Sequence, residues 1–161
     1  MATSIYEIPV KKISGEGASL GEYAGKVVVV VNVASRCGLT PQYEGLEALY
    51  RRFRDSGLVV LGVPANDFGK QEPGTEQEIK SFCTTKFAVD FPLASKEQVI
   101  GGEAHPFYKW AAAELGEDAA PKWNFHKYLI GKNGSMAGVF SSRVAPDAPD
   151  LVAAVEAALA T

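Results

Sequence analysis

Cysteine and histidine are scarce in this chain, with two of each in 161 residues. Two cysteines, Cys37 and Cys83, cannot build a disulfide lattice or a four-thiolate zinc site. With only His105 and His126 beside them, a mixed tetrahedral metal site is not expected either. Long apolar runs are missing: the longest, 27–31 and 151–155, fall far short of the ~18 residues that suggest a membrane span, so no stable membrane association is expected. The first residues lack a basic stretch followed by an apolar one, which excludes a recognisable secretory signal and points to a cytoplasmic protein. Sixteen basic residues against 19 acidic ones leave a net charge of −3. Without a basic stripe, nucleic acid is not an expected partner. Repeats and low-complexity linkers are absent as well. At ~100–200 residues per domain, residues 1–161 read as a single domain, long enough to bury a core without staples.

What is present has the pattern of an α/β chain. Lys26-Val-Val-Val-Val-Val-Asn-Val33 is a β-branched run without polar alternation, the mark of a strand buried on both faces. A loop of small and polar residues follows, and a helix is predicted from Thr40-Pro41, with Thr40 as its cap and Pro41 in its first turn. Tyr43, Leu46, Leu49, Tyr50 and Phe53 recur at helical spacing. Leu58 to Pro64 reads as a second buried strand, so the first unit is a strand–helix–strand crossover. Residues 66–74 form a polar loop, and Thr75-Glu-Gln-Glu78 is a capping box for a helix whose apolar face holds Ile79, Phe82, Cys83 and Phe87. Phe91-Pro-Leu93 is a short strand candidate. Pro106 to Leu115 is a helix stopped by Gly116, and residues 123–130 and 136–140 are strands around an Asn-Gly turn. An Ala-rich helix from Pro149 to Ala160 ends the chain. Residues 14–25 read as turn and connector. A mixed sheet with helices on both faces and a C-terminal β-hairpin and helix accommodates this order, as in the thioredoxin-like fold.

Cys37 falls where a buried parallel strand ends and a helix is about to begin. Reaction sites of open α/β sheets lie outside the carboxyl ends of strands, and the partial positive charge of a helix N-terminus stabilises a thiolate, the nucleophilic form of cysteine. A cysteine taken alone is more often a core residue, so position is what singles Cys37 out. The residue three further on is Thr40, so there is no Cys-x-x-Cys pair for ordinary dithiol–disulfide exchange. An acyl carbon and a peroxide oxygen remain as electrophiles. A cysteine hydrolase needs a histidine base, and the contexts of His105, at a helix start, and His126, at a solvent-facing strand position, mark neither as one. Peroxide attack needs instead donors that stabilise charge on the departing oxygen. Gln71 in the loop after the second strand, and Trp123-Asn124 before the hairpin, offer such neutral donors.

Three blocks carry a resemblance. Asn32-Val-Ala-Ser-Arg-Cys-Gly-Leu-Thr40, Gly62-Val-Pro-Ala-Asn-Asp-Phe-Gly-Lys-Gln-Glu-Pro-Gly74 and Trp123-Asn-Phe125 resemble, in order and spacing, the signature blocks of the glutathione peroxidase family. The likeness runs from about Tyr6 to the last helix. It implies a thioredoxin-like fold and a catalytic set of Cys37, Gln71, Trp123 and Asn124, with Cys37 where some members carry selenocysteine. Many non-animal members have a further cysteine in the second block, where this chain has Ala65. Phe82-Cys-Thr-Thr-Lys-Phe87 resembles the place where thioredoxin-dependent members keep a resolving cysteine, which Cys83 matches. The short connection of residues 116–122 lacks the insertion of tetrameric animal enzymes, which implies a monomer or a weak dimer and a site open to bulky lipid hydroperoxides.

The resemblance therefore implies a thiol peroxidase without bound cofactor or metal. Cys37 becomes a sulfenic acid on meeting hydrogen peroxide or an organic hydroperoxide. Cys83 then closes a disulfide that a thioredoxin-like partner reduces. Other readings use the same residues: glutathione as the reductant with Cys83 a bystander, a peroxide sensor passing oxidation to a partner protein, or a binding module without turnover.

Overall fold

The computed structural model describes residues 5–161. Its centre is a four-stranded mixed sheet of β3 (Val27–Val33), β4 (Leu58–Pro64), β5 (Lys127–Ile130) and β6 (Met136–Phe140), in the order β4-β3-β5-β6. The valine run forms β3 (Val27–Val33) and the second apolar run forms β4 (Leu58–Pro64). The two are parallel, in register from Val27 opposite Leu58 to Val33 opposite Pro64. Both strands are buried along their whole length, as continuous apolar runs require. β5 (Lys127–Ile130) lies antiparallel to β3, and β6 (Met136–Phe140) antiparallel to β5.

Alternation along β3 divides the core. Val27, Val29, Val31 and Val33 face one side, where they pack with Leu46 and Leu49 of α1 (Gln42–Phe53), Ile79 of α2 (Glu76–Phe87) and Leu151 and Val155 of α4 (Pro149–Leu159). Val28 and Val30 face the other side, against Phe107, Tyr108 and Ala111 of α3 (Pro106–Leu115). The expected mixed sheet with helices on both faces is therefore present.

Local signals behave largely as their chemistry dictates. Thr75 accepts from the Glu78 N–H at 3.2 Å while the Glu78 carboxylate accepts from the Thr75 N–H at 3.1 Å, the reciprocal capping box that opens α2. Gly57, at φ 109°, ends the turn after α1 in a conformation that glycine adopts without steric cost.

Three expectations are corrected. Residues 14–25 are not mere connector: β1 (Pro9–Lys11) pairs with β2 (Gly17–Ser19), and a 3-10 turn follows. Strands of three residues are too short to display a period. Residues 91–93 make isolated bridges rather than a strand. Gly62 N–H donates to Pro92 and Ala94 N–H to Gly62, and Pro92 has no N–H to extend the ladder. The first strand of the hairpin begins at Lys127, so residues 123–126 are left in irregular backbone. The Asn-Gly turn of the hairpin is where it is expected: Gly134 N–H returns to the Gly131 carbonyl, and Gly134 takes φ 81°.

Candidate active site

Cys37 sits in the turn between β3 and α1, with 8% of its surface exposed. The expected capping role of Thr40 is not what the structure contains. α1 begins at Gln42 with Pro41 as its cap residue and no side-chain cap. Thr40 Oγ1 instead accepts from the Cys37 N–H at 2.9 Å and donates to the Ala34 carbonyl at 2.8 Å. Together with Thr40 N–H to the Cys37 carbonyl at 3.0 Å, this closes the turn around the cysteine. The competing demand of two buried backbone groups has drawn the hydroxyl away from the helix end. Leu39 N–H, two residues on, donates to Cys37 Sγ at 3.3 Å, so a backbone donor is aimed at the sulfur.

The loop after β4 reaches the same end of the sheet. Arg36, next to Cys37, donates its N–H to the Gln71 carbonyl at 3.0 Å. Asn124 Nδ2 donates to Gln71 Oε1 at 2.9 Å, which leaves the Gln71 amide hydrogens uncommitted. Asn124 is fully buried. Trp123 is 37% exposed and its ring lies against Phe68, with centroids 5.9 Å apart. Gly69 makes room for it: a Cβ there would stand 3.2 Å from Trp123 Cη2, and its φ of 66° also suits glycine. Cys37, Gln71, Trp123 and Asn124, singled out in the sequence, thus belong to three segments that meet at one end of β3 and β4.

Asn32, the only polar residue of β3, ties the third segment in place. Its Nδ2 donates to the Trp123 carbonyl at 3.1 Å, and its carbonyl accepts from the Phe125 N–H at 2.6 Å. Phe125 is fully buried at φ 68°, a left-handed conformation that costs a non-glycine residue of order 1–3 kcal/mol. Packing against Tyr43, with ring centroids 5.5 Å apart, offsets that cost. Asn32 was readable as the one polar interruption of a valine run, but its part in the site was not.

Cys83 is a free, fully buried thiol on α2, in the same apolar core cluster as Cys37. Burial pushes it up to about 11, with the neighbouring Tyr43 hydroxyl opposing the rise and the charge of Glu72 adding to it. Phe82 and Phe87 of the same helix pack on the Tyr43 ring. His105 caps α3, its Nδ1 accepting from the Phe107 N–H at 3.1 Å. His126 is not the solvent-facing strand residue expected. It lies just before β5, buried, with its ring 4.8 Å from that of Tyr128, and desolvation lowers it to about 4. An imidazole so neutral is no charged partner for a thiolate.

Beside Trp123 an open groove of about 510 Å³ is lined by Leu115, Lys122, His126, Val139 and Arg143. Leu115 and Val139 are among the few large apolar side chains left exposed. Among the described residues, no group of three or more His, Cys, Asp or Glu side chains is placed to hold a metal ion, and no helix is long and apolar enough to cross a membrane.

Known proteins resemble this chain in sequence and in fold. The profile of the family described as glutathione peroxidase matches residues 5–112. The hydroperoxy fatty acid reductase gpx1 of Synechocystis is 44% identical over 152 residues, covering 89% of this chain and 90% of that one. The glutathione peroxidase-like peroxiredoxin 2 of Saccharomyces cerevisiae is 43% identical over 154 residues, covering 93% and 94%. The crystal structure of Trgpx in apo form superposes with a TM-score of 0.81 at 36% identity, over 100% of this chain and 98% of that one. A thioredoxin-family thiol:disulfide interchange protein of Chlorobium tepidum, at 16% identity and TM-score 0.71 over 99% and 97% of the two chains, shares the fold. The chain belongs to the glutathione peroxidase family: it is a peroxidase with a thioredoxin-like α/β fold, similar to the family's non-animal, peroxiredoxin-like members.

Proposed function

We propose that this protein is a two-cysteine thiol peroxidase that reduces hydrogen peroxide and organic or lipid hydroperoxides at Cys37 and is recycled by a thioredoxin-like dithiol protein. The observation that carries the reading is the convergence of Cys37 with uncommitted neutral donors. Leu39 N–H points at its sulfur, Arg36 next to it is bonded to Gln71, and Gln71 is held by Asn124 with its own amide hydrogens free. In the first step the Cys37 thiolate attacks one peroxide oxygen and the O–O bond breaks. The sulfur is oxidised to a sulfenic acid, and the other oxygen leaves as an alkoxide or hydroxide that takes up a proton. The Gln71 amide and the Trp123 indole N–H stabilise the charge on that departing oxygen. The open groove beside Trp123, with the exposed Leu115 and Val139 in its lining, suits the chain of a bulky fatty-acid hydroperoxide, consistent with the name of the Synechocystis relative.

In the second step the Cys83 sulfur attacks the Cys37 sulfenic acid and water leaves, giving an intramolecular disulfide. A dithiol partner then reduces it by exchange. Cys83 is fully buried on a helix whose Phe82 and Phe87 pack on the Tyr43 ring, and we propose that α2 opens locally as the two sulfurs meet. We further propose that the protein works as a cytoplasmic monomer.

The test is steady-state peroxidase turnover with thioredoxin and with glutathione, on the native protein and on Cys37→Ser and Cys83→Ser, with peptide mapping after peroxide treatment. Cys37→Ser is expected to lose turnover with both reductants. Cys83→Ser is expected to lose thioredoxin turnover and to accumulate Cys37 sulfenic acid. Glutathione turnover that survives Cys83→Ser, without preference for thioredoxin and without a Cys37–Cys83 disulfide in the native protein, would replace this reading by the glutathione-dependent one.

A further inference from the structure

The core layer that contains Cys37 also contains a buried lysine. Lys127 opens β5 and is fully buried, and among the described residues it takes part in no ion pair. It stands opposite Val31 of β3, and directly paired residues of antiparallel strands point to the same face. Val31, and Leu129 two residues on from Lys127, both belong to the layer of Cys37, Tyr43 and Phe125. The lysine therefore lies on the Cys37 side of the sheet. Burying its amino group among valines and aromatic rings costs free energy that a methionine or leucine there would not. A residue that only filled this space would be apolar.

What the lysine adds is a donor. Its Nζ reaches back two residues and donates to the Phe125 carbonyl at 2.7 Å, in a bond that is itself buried. That carbonyl lies outside the sheet, because the pairing of β5 with β3 starts at Lys127. Phe125 also has the left-handed φ of 68°, which is costly for a residue other than glycine. The Lys127 bond holds the carbonyl of this strained residue.

Asn124 is enclosed by the resulting clamp. Before it, the Trp123 carbonyl accepts from Asn32 Nδ2 at 3.1 Å. After it, the Phe125 N–H donates to the Asn32 carbonyl at 2.6 Å, and the Phe125 carbonyl accepts from Lys127 Nζ at 2.7 Å. Asn32 of β3 and Lys127 of β5 thus fix the backbone on both sides of Asn124. Held in this way, the fully buried Asn124 donates to Gln71 Oε1 at 2.9 Å.

We propose that Lys127 is a positioning residue for the peroxide step: by holding the Phe125 carbonyl it fixes Asn124, and through Asn124 the Gln71 amide. The inference rests on the donor set read above and concerns only the step at Cys37, before Cys83 acts. Lys127 works through Asn124 and is assigned no contact with the peroxide.

The experiment compares the reduced native protein with Lys127→Met, Asn124→Ala and the double variant. Acid quench and mass spectrometry follow two reactions of Cys37, oxidation by hydrogen peroxide and alkylation by iodoacetamide. Peroxide attack expels an oxygen whose charge the donors stabilise, whereas iodide leaves without them, so alkylation reports the thiol alone. For Lys127→Met we expect peroxide oxidation to slow about tenfold, the cost of a misplaced site group, with alkylation unchanged. The double variant is expected to match Asn124→Ala, because a residue that acts only through Asn124 adds nothing once the asparagine is gone. A native peroxide rate in Lys127→Met would overturn the proposal, and so would a loss that adds in full to that of Asn124→Ala. A parallel fall of both reactions would also overturn it, since the lysine would then act on Cys37 or on the fold at large. If Lys127→Met does not fold, Lys127→Leu, smaller and equally unable to donate, is read by the same outcomes. A native peroxide rate in Asn124→Ala would instead strike the donor reading itself, and this assignment with it.

Discussion

Asn124 donates its side-chain amide to Gln71 Oε1 at 2.9 Å, across 53 positions of sequence. That bond orients Gln71 so that its amide hydrogens remain available, and it makes the two residues one functional unit. Gln71→Ala and Asn124→Ala are each expected to lower the second-order rate of Cys37 oxidation by roughly 10²-fold, the loss typical of a preorganised donor. The double variant is expected to be little worse than either single one, because residues sharing one hydrogen bond are not additive. Stopped-flow oxidation of the four proteins by hydrogen peroxide measures the coupling, and full additivity would mean that the residues act separately.

Gly69 is a spacer for the same unit. A methyl group there would meet Trp123 Cη2 at 3.2 Å and the Gln71 Cγ and Cδ at 3.4 Å, on a backbone at φ 66°. Gly69→Ala is expected to displace both donors at a stability cost of about 1 kcal/mol from the strained backbone. The expected result is a peroxide rate at least tenfold lower, comparable with a donor deletion, and a shift in tryptophan emission. Tryptophan fluorescence and the Cys37 oxidation rate, read on one sample, check both.

What was legible in the sequence had strong local causes. The valine run of β3 could only be a strand buried on both faces, and the Thr75–Glu78 box could only open a helix. Cys37, Gln71, Trp123 and Asn124 stood out by residue type and by motif, and their segments do converge. What stayed hidden depended on tertiary partners. Thr40 had two possible employments, and the unpaired Cys37 N–H and Ala34 carbonyl decided between them. His126 could not be recognised as buried while its strand was drawn four residues too long, because residues 123–126 follow Asn32 rather than a ladder of their own.

Thr40 is expected to matter for both stability and rate. Thr40→Val keeps the shape but leaves the Cys37 N–H and the Ala34 carbonyl without their partner. Leaving such buried groups unpaired costs about 1–3 kcal/mol. The midpoint of thermal unfolding is expected to fall by roughly 2–10 °C for a chain of this size. Because the same turn aims the Leu39 N–H at Cys37 Sγ, peroxide reactivity is expected to fall with it. Calorimetry together with the Cys37 oxidation rate tests the pair. A destabilised variant with native reactivity would assign Thr40 to the fold alone.

Lys127 sets a pH dependence of stability. It is fully buried at the start of β5, with Nζ donating to the Phe125 carbonyl at 2.7 Å, and burial lowers it from 10.5 to about 7. The unfolded chain therefore binds more protons than the folded one between those values. Stability from this residue is present above about pH 10.5 and is lost as pH falls through about 7. Lys127→Met removes the titrating group while keeping most of the side-chain volume, at the cost of an unpaired Phe125 carbonyl. The variant is expected to gain stability relative to the native protein as pH is lowered from 9 to about 7, and the gain is expected to level off below that. Urea unfolding at several pH values measures the difference. A difference independent of pH across that range would mean that Lys127 keeps its charge in the folded protein, and that the Phe125 carbonyl, held at φ 68° beside Asn124, is solvating an ammonium throughout.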